Sequence, residues 1–209
     1  MMTVPLPPLP RFPGSDATHR PPGRSIVDVL DHEHQMVATL CEELLEDEVS
    51  AERRQRVASV VVAELSRHVS AERQYLYPTI RAVLPDGEAL AEVGTAEDTT
   101  LLHLLKQLET TAPDDPYYAK VADEVATQFH RHWDTATEQF LQPLRDAATD
   151  EQLIRLGNRI GMVKEAAPTR PHPKAPAGPP WNAVADPALG VLDKARDVLS
   201  RRTTYVEDL

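Results

Sequence analysis

The 209-residue sequence has little cysteine, few aromatic rings, too few cations to balance its acids, and no long apolar run. Its single cysteine, Cys41, excludes a disulfide framework and any cysteine-rich zinc site. A reducing cytoplasm suits such a chain. Aromatic residues make up only 5% and β-branched runs are few, which favours helices packed with Leu, Val and Ala over sheets. Lys and Arg number 22 against 33 Asp and Glu, a net charge of −11. That balance argues against nucleic acid, whose phosphates need a basic face, and against an anionic membrane surface. No stretch reaches the ~18 apolar residues of a membrane span. The opening MMTVPLPPLPRFPGSD lacks the charged and unbroken apolar regions of a secretory signal.

What is present is an apolar fraction of 41%, enough for a core, and 19 prolines that divide the chain. Seven prolines fall in residues 1–22, seven in 168–187 and five between. Proline resists helix interiors, so the two dense ends read as extended or disordered. The expected organisation is a proline-rich tail over 1–24, a helical domain over 25–165, a proline-rich linker over 166–187, and an amphipathic helix with a tail over 188–202.

Within the domain the apolar spacing is helical. Ser25 is an N-cap with Asp28 at the third helical position. From it Ile26, Val29, Leu30, Met36, Val37, Leu40 and Leu44 share a face. Ser50 caps a second helix through Val57, Val60, Val61, Leu65, Leu76, Ile80 and Val83, ended by Pro85-Asp86-Gly87. A third begins near Glu88 or Glu97 and runs to Glu109, with Gly94 as a possible break. A fourth runs from Tyr117 to about Ala147 through Val121, Val125, Phe129 and Phe140, and a short fifth from Asp150 to about Val163. Four long helices with short loops predict an all-α, antiparallel up-down four-helix bundle. Pro78 and Pro143 lie late in the second and fourth helices, which hints at a duplicated helix pair.

His68-x-x-x-Glu72 places an imidazole and a carboxylate on one helical face, about 6 Å apart along the axis. Such a pair can share a cation or form a solvated ion pair. Of His32 and His34, the phase of Leu30, Val37 and Leu40 turns His34 inward.

The run Asp28-Val29-Leu30 to Glu33-His34, the piece RHVSAERQYLYPTIRAVLP, the PDG turn and a fourth helix ending E..LQPLR resemble the hemerythrin-like family, the HHE cation-binding domains. The resemblance spans about residues 25–146 and implies a four-helix bundle with a non-haem di-iron core. The family pattern sets one His on the first helix, His-x-x-x-Glu on the second, two His on the third, and a His followed by an acid on the fourth. His34, His68 and Glu72 match it. His68 precedes Pro78 by ten residues, and the same ruler from Pro143 lands on Trp133. On that ruler Glu138 is the bridging carboxylate, and His132 needs a helical bulge to turn inward. On the third helix, Asp98 and Thr95 stand where histidines are expected.

Three outcomes stay open: a carboxylate-richer di-iron site using Asp98 and His132, a single metal on His34, His68, Glu72 and Glu138, or a bundle that binds nothing. The resemblance implies iron that binds or senses O₂, NO or peroxide, although His and carboxylate donors also suit Mn and Zn. A metal-free interaction module is the alternative. The sequence shows no acid/base pair that would make the chain an enzyme.

Other residues read more plainly. Trp133 would fill the place of a missing metal if it pointed inward. Tyr75 or Tyr77 can hydrogen-bond a ligand. His103 reads as a core or interface residue and Cys41 as a small buried hydrophobe. Trp181, Val184, Leu189, Val191, Leu192, Ala195, Val198 and Leu199 form an apolar stripe that could dock on the bundle, pair two chains or bind another protein.

Overall fold

Ser25 and Ser50 start the first two helices by accepting hydrogen bonds from the backbone of Asp28 and Arg53, at 3.1 and 3.2 Å. In the computed structural model, which describes residues 21–46, 48–175 and 182–209 (backbone alone at 182–184), these helices are α1 (Ile26–Leu45) and α2 (Ala51–Ala71). A π-helical segment, π1 (Glu72–Leu76), continues α2 into α3 (Tyr77–Val83). Asp86, left-handed at φ 57°, turns the chain into α4 (Gly87–Thr110). Then come α5 (Tyr118–Thr135), a second π segment, π2 (Ala136–Leu141), and α6 (Gln142–Ala147). The Thr149 capping box opens α7 (Asp150–Ala166), and α8 (Asn182–Ser200) closes the helical part.

The bundle is all-α, with α1, α2–π1–α3, α4 and α5–π2–α6 as its four antiparallel members. Helix α1 packs on α2 and α5, and α4 completes the ring against the same two. Helix α4 is unbroken: Gly94 does not end it, because the Tyr77 ring lies across the space its side chain would fill. Helix α7, longer than expected by three residues, lies against α1 and α2.

The core is in two pieces. One gathers Val37, Leu40, Val61, Leu65, Leu101, Leu105, Val125 and Phe129. The other gathers Ile26, Leu30, Leu76, Tyr77, Ile80, Phe140 and Leu144. Between them the inward positions of α1, α2, π1, α4 and α5 carry His34, His68, Glu72, Asp98 and His132, all buried. A polar layer inside an apolar bundle costs folding energy unless its groups are paired, so this layer marks the site.

The C-terminal helix docks on its own chain, but not by its apolar stripe. Its acids face inward. Asp186 accepts from Ser70 and Gln74 at 2.6 and 3.1 Å, Asp193 meets His172 at 2.9 Å, and Asp197 pairs with Arg170 at 2.7 Å. Val191, Leu192, Val198 and Leu199 are left exposed. Residues 167–175, which follow α7, are anchored to α8, with Thr169 and Arg170 both bonded to Asp197. Trp181, the Val184 side chain and the N-terminal tail before residue 21 lie outside the described residues.

Candidate metal centre

Four buried side chains converge between the two core pieces. His34 of α1, His68 of α2, Glu72 of π1 and His132 of α5 each bring one donor atom, all within 4.8 Å of one another. The Nε2 of His68 lies 3.2 Å from that of His34 and 3.2 Å from that of His132. Glu72 reaches both sides: Oε1 is 3.3 Å from His68 and Oε2 is 3.5 Å from His132. Bonds of ~2.1 Å to one cation set neighbouring donors about 3.0 Å apart at octahedral and about 3.4 Å at tetrahedral angles. The four spacings above, 3.2 to 3.5 Å, lie close to that range, and the donors are one carboxylate and three imidazoles. Glu72 Oε1 has no hydrogen bond, nor do His34 Nδ1 and His132 Nδ1. Of the three, Glu72 Oε1 lies on the cluster side, where the histidines turn Nε2, and a carboxylate oxygen buried there without a hydrogen bond suits a cation.

The helices aim these groups through their irregularities. In π1 the Tyr77 N–H bonds to the Glu72 carbonyl, and in π2 the Gln142 N–H bonds to that of Thr137, each five residues back. Pro78 and Pro143 follow immediately. Proline cannot donate to the carbonyl four back, and the wider turn moves that carbonyl aside. Segment π1 has five residues and π2 has six. His132 therefore precedes Pro143 by eleven residues, where His68 precedes Pro78 by ten. The ten-residue ruler overlooks the extra residue and lands on Trp133.

That shift corrects two expectations. Glu138 is exposed on the outer face of π2, in a surface groove with His130, Arg131 and Asp134, and does not reach the cluster. His132 holds the inward position and is 0% exposed. Trp133 is half-buried beside the His34 ring, with centroids 5.9 Å apart, and does not fill the centre. Asp98 is buried but stands outside the four. Its Oδ2 is 3.3 Å from Arg73 Nε and its Oδ1 is 3.8 Å from His132 Nδ1. Thr95 bonds its own helix at the Ala91 carbonyl. His103 is exposed and bonds Thr99 O, against its expected burial.

Sequence reasoning missed the supports. Glu33 Oε2 is 3.0 Å from His68 Nδ1, and Lys164 of α7 holds Glu33 Oε1 at 2.8 Å. A carboxylate on the far nitrogen fixes an imidazole's tautomer and raises its basicity. The signal available was Glu33 next to His34, but nothing local says that α7 brings a lysine. Tyr77 donates to Glu72 Oε2 at 3.4 Å.

Electrostatics follow from burial. Burial opposes charge on His68, but Glu72 and Glu33 outweigh it and raise it to about 10. Burial likewise opposes the Glu33 charge, and His68 and Lys164 overcome it, bringing the carboxyl down to about 2. Against burial, the charges of His68 and His132 pull Glu72 below its ordinary value. Burial and the His68 charge push His34 well below the usual imidazole range, and burial lowers His132. Burial, then the Glu72 charge, pushes Asp98 up to about 8. Without metal, a proton on His68 answers the Glu72 carboxylate, and a bound cation would replace that proton.

A helical bundle whose polar layer sets three imidazoles and a carboxylate around one point has the form of a metal-binding bundle. Residues 25–151 match the family Hemerythrin HHE cation binding domain, and the chain belongs to that family. It is 25% identical over 141 residues to a hemerythrin-like protein of Schizosaccharomyces pombe, covering 67% of this chain and 70% of that one. In fold it is similar to the crystal structure of a hemerythrin HHE cation binding domain-containing protein from Mycobacterium kansasii. The TM-score is 0.59 at 23% identity, over 68% of this chain and 85% of that one. Among the described residues no helix is long and apolar enough to cross a membrane.

Proposed function

We propose that the chain holds a transition-metal ion, iron by the family resemblance, on His34, His68, Glu72 and His132, and binds or senses O₂, NO or peroxide there. The supporting observation is the convergence of the four buried donors at spacings suited to one ion. When bound, iron would supply an open coordination position and one-electron redox change. The protein's own groups do the rest. Glu33 and Lys164 hold the His68 ring, Tyr77 holds one oxygen of Glu72, and the two core pieces keep water out. No donor residue is more than 2% exposed, so the ligand that reaches them is a molecule of a few atoms. Binding or sensing is favoured over turnover. Bulk substrate has no room at the cluster, and its carboxylate and imidazoles are spent on the ion.

A metal-free bundle accounts less well for the centre. It would leave Glu72 Oε1, buried at the cluster without a hydrogen bond, to be answered only by a proton on the His68 ring 3.3 Å away. Elemental analysis after anaerobic loading with Fe(II), with His68→Ala as the comparison, tests the reading. Bound iron that is lost in the variant supports it. Equal content in the two proteins sinks the ligand assignment. Visible absorption changes on adding NO to the loaded protein test the ligand class.

A further inference from the structure

Two of the three histidines at the centre are backed in the same way. On one side Lys164 meets Glu33 at 2.8 Å, and Glu33 meets His68 Nδ1 at 3.0 Å. On the other, Arg73 meets Asp98 at 3.3 Å, and Asp98 lies 3.8 Å from His132 Nδ1. Each chain runs from a cation through a carboxylate to the nitrogen that faces away from the cluster. We infer that the centre takes a single cation, with Asp98 a positioning carboxylate for His132 and Arg73 a fixed positive charge on the α4 side, where a second ion would have to sit.

This rests on the metal-binding reading and narrows it. A second ion would need donors from α4, and of the buried carboxylates of that helix Glu97 is turned through Oε1 to Arg131 and Thr135 at 3.2 Å, with Oε2 unbonded, while Asp98 is turned to Arg73. Asp98 Oδ2 takes the Arg73 Nε–H, and the Thr99 hydroxyl accepts from the same guanidinium at 2.9 Å. Thr99 and Thr95 donate back to their own helix, to the carbonyls of Thr95 and Ala91. The one histidine of α4, His103, is exposed. Glu72 already turns one oxygen to His68 and the other to His132, so it spans donors of a single cluster. A divalent ion on Asp98 would sit within a few ångströms of a buried guanidinium, where like charges repel with little screening. Asp98 Oδ1 has no hydrogen bond as the site stands. With a cation on His132 Nε2, the Nδ1–H of that ring points a donor at this oxygen, as His68 does at Glu33.

The test is a titration of metal-depleted protein with Co(II) under argon, read by calorimetric stoichiometry and by the visible absorption of the bound ion. One equivalent per chain is the expected result. Two equivalents overturn the inference and leave the metal-binding reading standing, and no binding overturns both. Asp98→Asn should keep one equivalent, lower affinity about 10- to 100-fold, and shift the Co(II) spectrum as the His132 ring reorients. A variant that binds with unchanged affinity and spectrum overturns the positioning role. Arg73→Gln should weaken binding in the same sense and Arg73→Lys should largely restore it, which loss of packing alone would not do. Should these variants misfold, the wild-type stoichiometry still decides.

Discussion

Glu33 shows how much a single side chain outside the donor set can matter. It stands one residue before His34, a proposed donor, yet serves a different histidine, tying α1 to α2 through His68 and to α7 through Lys164. Its carboxyl falls from 4.5 to about 2 on folding, because His68 and Lys164 overcome its burial. The folded state therefore binds the Glu33 proton less readily than the unfolded chain. The stabilisation is present above pH about 4.5 and is lost as pH falls toward about 2. Glu33→Gln should lower the unfolding temperature of the metal-depleted protein at neutral pH, and the gap from wild type should close in acid. At neutral pH the variant should also bind metal about 10- to 100-fold more weakly. A gap that widens in acid would contradict the assignment.

His34 was legible because it sits in phase with Leu30, Val37 and Leu40 on an ordinary helix, and His68 and Glu72 because they stand four residues apart at the junction of α2 and π1. Glu138 was misread and His132 underrated for one reason. The sequence carries no local sign that π2 has one residue more than π1. Asp98 was read as a candidate ligand standing where the family has a histidine, and its commitment to Arg73 was not legible. That contact joins residues 25 apart in the chain, and helix phase cannot predict it.

At the scale of elements, the two π segments set which faces meet at the centre. Deleting Gln139, which is exposed in π2, would leave a segment of π1's length with His132 ten residues before the proline, as His68 is before Pro78. His132 should keep its inward place and the variant should still bind metal. Loss of metal from a folded deletion variant would show that the extra residue of π2 does not account for the register of His132. Gly94 is the other element-scale device. A Cβ there would lie 2.6 Å from Tyr77 Cε1 and 2.9 Å from its hydroxyl. Glycine inside a helix costs about 1 kcal/mol against alanine, so on propensity alone Gly94→Ala should stabilise. The contact predicts the opposite, a loss of roughly 1–3 kcal/mol from overpacking, with the Tyr77–Glu72 hydrogen bond displaced. Thermal unfolding of the variant gives the sign. Helix bounds and caps were readable because Ser25, Ser50 and Pro85-Asp86-Gly87 act locally. Continuity through Gly94 was not, since the ring that fills its space comes from another helix.

Among the described residues, the centre is the layer where α1, α2 and α5 meet through polar groups in place of apolar packing. An ion there would join three helices that otherwise hold an imidazolium and a carboxylate against each other. At metal one hundred-fold above its dissociation constant, binding adds about 2.7 kcal/mol. For a chain of this size that raises the unfolding temperature by roughly 5–10 °C. Chelation should reverse the rise, and a melting point indifferent to metal would contradict a centre in the core. The C-terminal helix was legible as amphipathic but not in orientation. Hydrophobic spacing predicts an apolar face turned inward, whereas Asp186, Asp193 and Asp197 face inward because Ser70, Gln74, Arg170 and His172 wait for them.

Metal content after anaerobic Fe(II) loading, measured side by side for wild type, His132→Ala and Glu138→Ala, bears most directly on the four-donor centre. Iron in wild type, iron lost from His132→Ala and iron kept by Glu138→Ala is the expected pattern. Iron kept by a folded His132→Ala, or lost from Glu138→Ala, would contradict the donor set, and a wild-type chain without iron would contradict the centre itself.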